Sequence, residues 1–268
     1  MKRVYLQITD ACNLNCPFCS YEKGNHFLSL NQIDDYLLQI KKYCDYIYLH
    51  ITGEPLLHPD FNEILNLLDK YQLHLQLVTN GTLFYKYPDL LNHSCLRKLS
   101  ISLHSVNNID VDNNYFENIN NLLLNDDTNI ELRFYDFDNL NDKLKNYLDS
   151  LINKYNLSLT DKKNSYRLKD NVYIYYSPLF KWPEINDDFI SDKGYCLGGK
   201  QMIAINCHSD VCICCLDPKA YNKIGNLKEN SLDEILKSPI YLKHLENLKK
   251  HELTFDLCKK CSYRLRFD

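Results

Sequence analysis

Runs of apolar or alternating apolar and polar residues fall at 3–9, 46–52, 73–79, 97–104, 129–136 and 171–176. These are strand signatures, with a period of two where one face meets solvent. Between them the period lengthens. Leu30, Ile33, Leu37 and Ile40 repeat at helical spacing, as do Phe61, Ile64, Leu65 and Leu68. The pattern predicts helices near 30–43, 60–71, 83–92, 114–124 and 139–155. Alternating strands and helices imply a parallel sheet or barrel. A full eight-unit barrel takes about 250 residues, and about 180 precede the change of pattern. The fold class read from this is α/β, a partial (β/α)6 TIM-type barrel over 1–183.

Residues 171–183 read as a last strand running into an aromatic linker, more a packing segment than a pocket wall. The pattern then shortens. Met202–Ile205 and Asp210–Ile213 read as a β-hairpin with His208 and Ser209 at the turn. Ser231 and Glu234 form a capping box that opens a helix. A hairpin and a helix bury too little apolar surface to stand alone. Residues 184–268 are therefore expected to be a small Cys-rich cluster domain cross-linked by metal.

The chemistry lies in the cysteines. Cys12, Cys16 and Cys19 follow the first strand as C-x3-C-x2-C, with Pro17 and Phe18 in the last spacer. Three thiolates on one loop hold three irons of a 4Fe–4S cubane. An electron-carrying cluster usually has four Cys, so the count leaves one iron open to a ligand. A zinc loop is the alternative, although zinc more often takes paired C-x2-C knuckles. Polar motifs also follow the other strands: Thr52–Pro55, Thr79–Gly81, His104 with Ser105, and Tyr135 with Asp136. In barrels of this type chemistry sits at the C-terminal strand ends. Ordinary βα turns also favour Gly, Asn and Pro. Gly81 fits that reading readily, Glu54 less so.

The cysteine loop, Thr52-Gly53-Glu54-Pro55, Thr79-Asn80-Gly81 and Ser102-Leu103-His104-Ser105 together resemble radical S-adenosylmethionine (SAM) enzymes. The matches stand in order over most of residues 1–140. Thr replaces a Gly in the second motif, and His104 and Ser105 stand where Asp and Gly are commoner. The resemblance implies a SAM-binding 4Fe–4S cluster on Cys12, Cys16 and Cys19. It implies SAM contacts from Phe18, Gly53, Glu54, Pro55, Asn80, Ser102 and Arg133. Glu54 suits the ammonium group as a charge-assisted acceptor. Arg133 suits a carboxylate through its planar fork, though an exposed strand arginine is an equal alternative. Reductive cleavage of SAM to a 5′-deoxyadenosyl radical and hydrogen-atom abstraction are the implied chemistry. An external one-electron reductant such as flavodoxin or ferredoxin is the implied partner.

The C-terminal part resembles the SPASM/Twitch extensions of that family. The matching residues are Cys196, Cys214 to Asp217, Ile224-Gly225-Asn226, Ser231 to Leu236, and the pair Cys258 and Cys261. One auxiliary 4Fe–4S cluster on Cys196, Cys214, Cys258 and Cys261 is expected, with Cys215 a competitor for Cys214. A structural Zn(Cys)4 on the same ligands is the alternative. Cys44, Cys95, Cys207 and Cys212 read as packing thiols, and Cys207 or Cys212 alternatively as a hydrogen-atom donor.

Composition narrows the rest. The 268 residues carry a formal net charge of −4 and no basic stripe, which argues against nucleic acid as partner. No apolar run approaches a membrane span, and no signal peptide is evident. Twelve Cys clustered in such a chain indicate metal binding in the cytoplasm rather than disulfides. A four-Cys auxiliary cluster has no open iron and suits electron transfer. The spacing from Cys196 to Cys214 resembles a Twitch-bearing dehydrogenase that converts a cyclitol hydroxyl to a ketone. The function expected is thus oxidation of an alcohol of a small sugar- or cyclitol-like substrate. A peptide-modifying radical SAM enzyme is the alternative, weakened because the first strand starts near residue 3. A non-enzymatic Cys/Zn scaffold is the alternative of another class. No residue is singled out as the proton acceptor.

Overall fold

The computed structural model describes residues 1–19, 22–107, 109–111, 114–135, 137–159, 164–177 and 181–267. Asp136 and the linker residues 178–180 lie outside the described residues. The elements in chain order are β1 (Arg3–Leu6), α1 (Leu30–Ile40), β2 (Tyr46–Tyr48), α2 (Phe61–Lys70), β3 (His74–Thr79), β4 (Leu96–Ser102), α3 (Asn114–Leu122), β5 (Asn129–Tyr135), α4 (Asp142–Lys154), β6 (Ser165–Lys169) and β7 (Val172–Ser177). There follow β8 (Met202–Ile205), β9 (Asp210–Cys212), β10 (Lys223–Asn226), α5 (Leu232–Ile235), α6 (Pro239–Lys249) and α7 (Asp256–Lys260).

The chain packs as two compact units. The first comprises Met1–Cys12, Ser20–His74 and Lys181–Asp268. Its strands run in the order β10, β9, β8, β1, β2, with β8, β1 and β2 parallel and the β8–β9–β10 meander antiparallel. The hairpin thus extends the sheet at β1 itself, in the register Arg3 to Met202 through Leu6 to Ile205. Packing joins residues 181–267 to β1 and β2, whereas the division at 183/184 marks a change of sequence character and stays a proposal. Val4 and Leu6 of β1 enter the core with Ile33, Tyr36, Leu37 and Ile40 of α1. Ser29 starts α1 through a capping box with Gln32. Leu37 is fully buried; truncating such a leucine to Ala costs about 2–5 kcal/mol.

The second unit comprises Asn13–Cys19 and Leu75–Phe180. Its strands run β3, β4, β5, β7 in parallel, with β6 antiparallel at the edge. One expectation is corrected here and one strand is added. The helix predicted at 83–92 is a pair of 3₁₀ turns, Phe84–Lys86 and Leu90–Asn92. Pro88 removes a backbone donor and turns Tyr87 out of the helical region, to φ −130° and ψ 63°. The strand expected at 171–176 is present as β7, and an edge strand not anticipated, β6, pairs with it as the first arm of a hairpin. Tyr166 and Leu168 give β6 its buried face, and Asp170 with Asn171 supplies the turn residues.

Candidate active site

In the first unit, the cysteine loop is closed at its base. Thr9 bridges Phe27 antiparallel, and the Leu28 amide donates to the Ile8 carbonyl at 2.9 Å. Asp10 is buried and accepts the His26 amide at 2.8 Å. A Cβ on Gly24 would come within 2.1–2.5 Å of the Asp10 carboxylate, so only glycine lets the returning chain pass. Cys12 therefore leaves β1 from a fixed point.

Beside it stand Thr52 to Pro55. Gly53 has φ +81°, and a Cβ there would meet the Thr9 carbonyl at 2.5 Å. The Glu54 amide donates to the Ala11 carbonyl at 2.8 Å, and its buried carboxylate accepts the Leu56 amide at 3.1 Å. Pro55 opens the 3₁₀ turn Pro55–Leu57 that Glu54 caps. The motif thus shapes a turn. The buried Glu54 carboxylate is of the type that accepts from a cationic ligand.

In the second unit, Cys16 and Cys19 close a tight turn, the Cys19 amide donating to the Cys16 carbonyl at 3.0 Å. Asn80 orients this segment: its Nδ2 donates to Asn13 Oδ1 at 2.9 Å while its Oδ1 accepts the Thr82 amide at 2.9 Å. Phe18 packs on His104 and Tyr135, with ring centroids 5.2 and 6.4 Å away. His104 Nδ1 lies 3.2 Å from the Arg133 carbonyl. A carbonyl only accepts, so Nδ1 carries the proton. Burial pushes the imidazole down to about 3, and it is neutral at physiological pH. Ser102, at the end of β4, accepts the Ser105 hydroxyl on its carbonyl at 2.6 Å.

Arg133 lies between Glu131 and Tyr135 on one face of β5. Its Nη2 donates to the Tyr135 hydroxyl at 2.8 Å, and its Nε stands 3.9 Å from Glu131 Oε1. That Nε is buried and makes no hydrogen bond. A cationic donor left in this state fits a carboxylate or hydroxyl ligand.

The third cysteine group lies wholly in the first unit. Cys196, Cys214, Cys258 and Cys261 line one cavity of about 110 Å³, with Arg3 and Asn222 among its walls. Three sulfurs already accept N–H donors: Cys196 from the Gly198 amide at 3.5 Å, Cys214 from the Leu216 amide at 3.4 Å, and Cys258 from Asn222 Nδ2 at 3.5 Å. Burial first, then Cys214, Cys196 and Cys261, pushes the Cys258 thiol well up. A cationic cluster reverses that penalty, and N–H donors to sulfur are how proteins tune one. The donor set fits an iron–sulfur cluster. Cys215 lines the same cavity, hydrogen-bonded first to Cys214 and also to Tyr5, with Arg3 nearby. Asp217 accepts the Tyr221 and Asn222 amides at 3.0 and 2.6 Å and shapes the wall. The fully buried Arg264 donates to the Cys258 carbonyl at 3.2 Å.

Residues 6–152 match the Radical SAM superfamily. The chain belongs to that superfamily. Residues 196–262 match the SPASM iron–sulfur cluster-binding domain, so the cofactors are SAM, a 4Fe–4S cluster and auxiliary iron–sulfur chemistry. The chain is 28% identical over 116 residues to GTP 3′,8-cyclase of Aquifex aeolicus, which covers 40% of the chain and 36% of that relative. It is 34% identical over 107 residues to a probable GTP 3′,8-cyclase of Methanococcus maripaludis, covering 38% and 36%. The chain thus spans about a third of the length of these relatives. Among solved structures it is similar to BtrN in complex with AdoMet and 2-DOIA, with a TM-score of 0.62, 17% identity, and coverage of 97% and 92%. It is equally similar to anSMEcpe with AdoMet and the Cp18Cys peptide, with a TM-score of 0.63, 12% identity, and coverage of 98% and 86%. At these identities the likeness establishes the fold, the partial TIM barrel of radical SAM enzymes.

The local signals were readable in sequence; the non-local ones were not. Phe18 against His104 and Tyr135 depends on β4 lying next to β5. Asp10, Arg3 and Tyr5 carried no motif. Among the described residues, no helix is long and apolar enough to cross a membrane.

Proposed function

We propose that this radical SAM enzyme oxidises an alcohol of a small sugar- or cyclitol-like substrate. The observation that carries the reading is the cavity where four cysteines stand together, lined by Cys196, Cys214, Cys258 and Cys261. When bound, the cofactors supply reductive SAM cleavage and hydrogen-atom abstraction at the N-terminal cysteines and a one-electron acceptor at that cavity. Four thiolates occupy every iron of one cubane, so the C-terminal set offers a substrate no coordination position. Cys12, Cys16 and Cys19 hold the first cluster and leave one iron open. Glu54, buried at the strand end, holds the SAM ammonium as a charge-assisted acceptor. Arg133 offers its buried Nε, and Ser102 and Asn80 complete the polar contacts. Phe18 with Gly53 and Pro55 shapes the apolar and backbone wall. A flavodoxin- or ferredoxin-type reductant and a cytoplasmic setting complete the reading.

Peptide modification is the second reading, favoured by the equal fold similarity to the peptide-bound anSMEcpe. Membership of the superfamily sets the non-enzymatic scaffold aside. The test is a holoenzyme with Cys258 and Cys261 both changed to Ala. It is expected to release 5′-deoxyadenosine and abstract hydrogen, yet form no oxidised product. Full yield of oxidised product from that folded variant would remove the basis for the dehydrogenase reading.

A further inference from the structure

Outside the two cysteine groups, a set of side chains of metal-ligating type lies beyond the C-terminal ends of β1 and β8. Asp10, Cys207 and His208 place one ligand atom each within 4.8 Å of one another. Asp10 is 4% and Cys207 0% exposed, so this is no chance gathering of surface charge. His208 Nε2 lies 3.9 Å from Asp10 Oδ2, on the turn between β8 and β9. The ring of His26 stands 4.9 Å from that of His208, and its Nε2 is buried with no hydrogen-bond partner. Two imidazoles, a thiol and a carboxylate are the donor types of a closed tetrahedral zinc site.

We propose that Asp10, Cys207, His208 and His26 bind a divalent zinc-type cation. Tetrahedral zinc with bonds of 2.0–2.3 Å sets its ligand atoms roughly 3.3–3.8 Å apart. For Asp10, Cys207 and His208 the observed spacing needs a contraction of up to about 1.5 Å, which the half-exposed His208 can supply, and His26 would complete the shell by turning its unpartnered Nε2 toward the ion. Binding converts the Cys207 S–H to thiolate and releases one proton to solvent. Without a cation, burial and then Asp10 push that thiol up to about 12.

The position gives the ion a task. Asp10 precedes Cys12 by two residues, and His26 follows Cys19 by seven. Both arms of the cysteine loop would be clamped to the β8–β9 turn by one ion. The existing clamp is the Thr9–Phe27 bridge and the Asp10 bond to the His26 amide.

The experiment exposes reconstituted holoenzyme to zinc ion, desalts it, and measures zinc and iron together. About one zinc per chain is expected, with one sulfur at about 2.3 Å and three nitrogen or oxygen neighbours by X-ray absorption. Cys207→Ser and His208→Gln should each weaken zinc retention at least tenfold while the iron content stays unchanged. His208→Gln sits on an exposed turn and keeps the fold testable should Cys207→Ser misfold. Zinc below a tenth of an equivalent, zinc unchanged in His208→Gln, or a four-sulfur shell would each overturn the site.

Discussion

His104 stacks on Tyr135, ring centroids 3.7 Å apart and planes 15° from parallel. The contact joins the end of β4 to the end of β5, and Phe18 of the cysteine loop rests on both rings. An Asp at position 104 offers no ring to either partner. The His therefore turns this strand end into an aromatic support for the loop, provided that it stays neutral.

Neutrality has a measurable consequence. Burial lowers His104 from 6.5 to about 3. Above pH 6.5 neither the folded nor the unfolded imidazole is charged, so the group adds no pH dependence. Between 6.5 and 3 only the unfolded chain binds the proton, and stability falls as pH falls. His104→Phe keeps a ring and removes the titration. Unfolding free energies from denaturant titrations between pH 7 and 5.5 should drop less in the variant, by about 1 kcal/mol. His58 and His244 are also lowered by burial, so a reduced slope is expected, not a flat one. Identical slopes in the two proteins would mean His104 is solvated.

The cysteine loop was legible because its three thiols are close in sequence and their number is itself chemical information. The Ser231 and Glu234 capping box was legible for the same local reason. The broken helix at 83–92 was a question of weighting, since Pro88 outranks the apolar spacing around it. Edge strand β6 was hidden because its five residues carry only two buried side chains. The His104–Tyr135 stack and the Asp10 group were beyond reach. Each depends on which strand lies beside which, and periodicity carries no such information.

Glu54→Gln separates a ligand role from a turn role. Gln keeps an acceptor oxygen for the Leu56 amide, so the cap at 3.1 Å survives and thermal stability should hold. What disappears is the charge. Losing one charge-assisted bond costs about 1.5–3 kcal/mol, roughly 10- to 150-fold in SAM affinity. Equilibrium binding of SAM to the reconstituted variant measures it. An unchanged dissociation constant would reduce Glu54 to its cap.

Changing Cys12, Cys16 and Cys19 together to Ala should abolish 5′-deoxyadenosine release under reducing, anaerobic conditions. The C-terminal cavity is built entirely from residues of the first unit, and none of these three lines it. Iron should therefore fall from about eight per chain to about four, not to zero. Continued SAM cleavage by the triple variant would place the SAM-binding cluster elsewhere.

Cys214 and Cys215 are adjacent, and the structure distinguishes them by their neighbours. Cys214 acts on Cys196, Cys258 and Cys261, whose thiols it helps to push up. Cys215 bonds the Tyr5 hydroxyl and faces the Arg3 guanidinium. The two thiols share a hydrogen bond and line one cavity, so what separates them is their other neighbours, the three remaining thiols for Cys214 and β1 for Cys215. Cys214→Ala should lose the auxiliary cluster and bring iron to about four per chain, whereas Cys215→Ala should keep about eight. Electron paramagnetic resonance of the reduced proteins checks this independently, because only Cys214→Ala should lose the second signal. The opposite pattern would make Cys215 the ligand, with the Tyr5 hydroxyl as its hydrogen-bond donor. Loss of iron in both variants would mean that Cys214 needs its neighbour to hold its orientation.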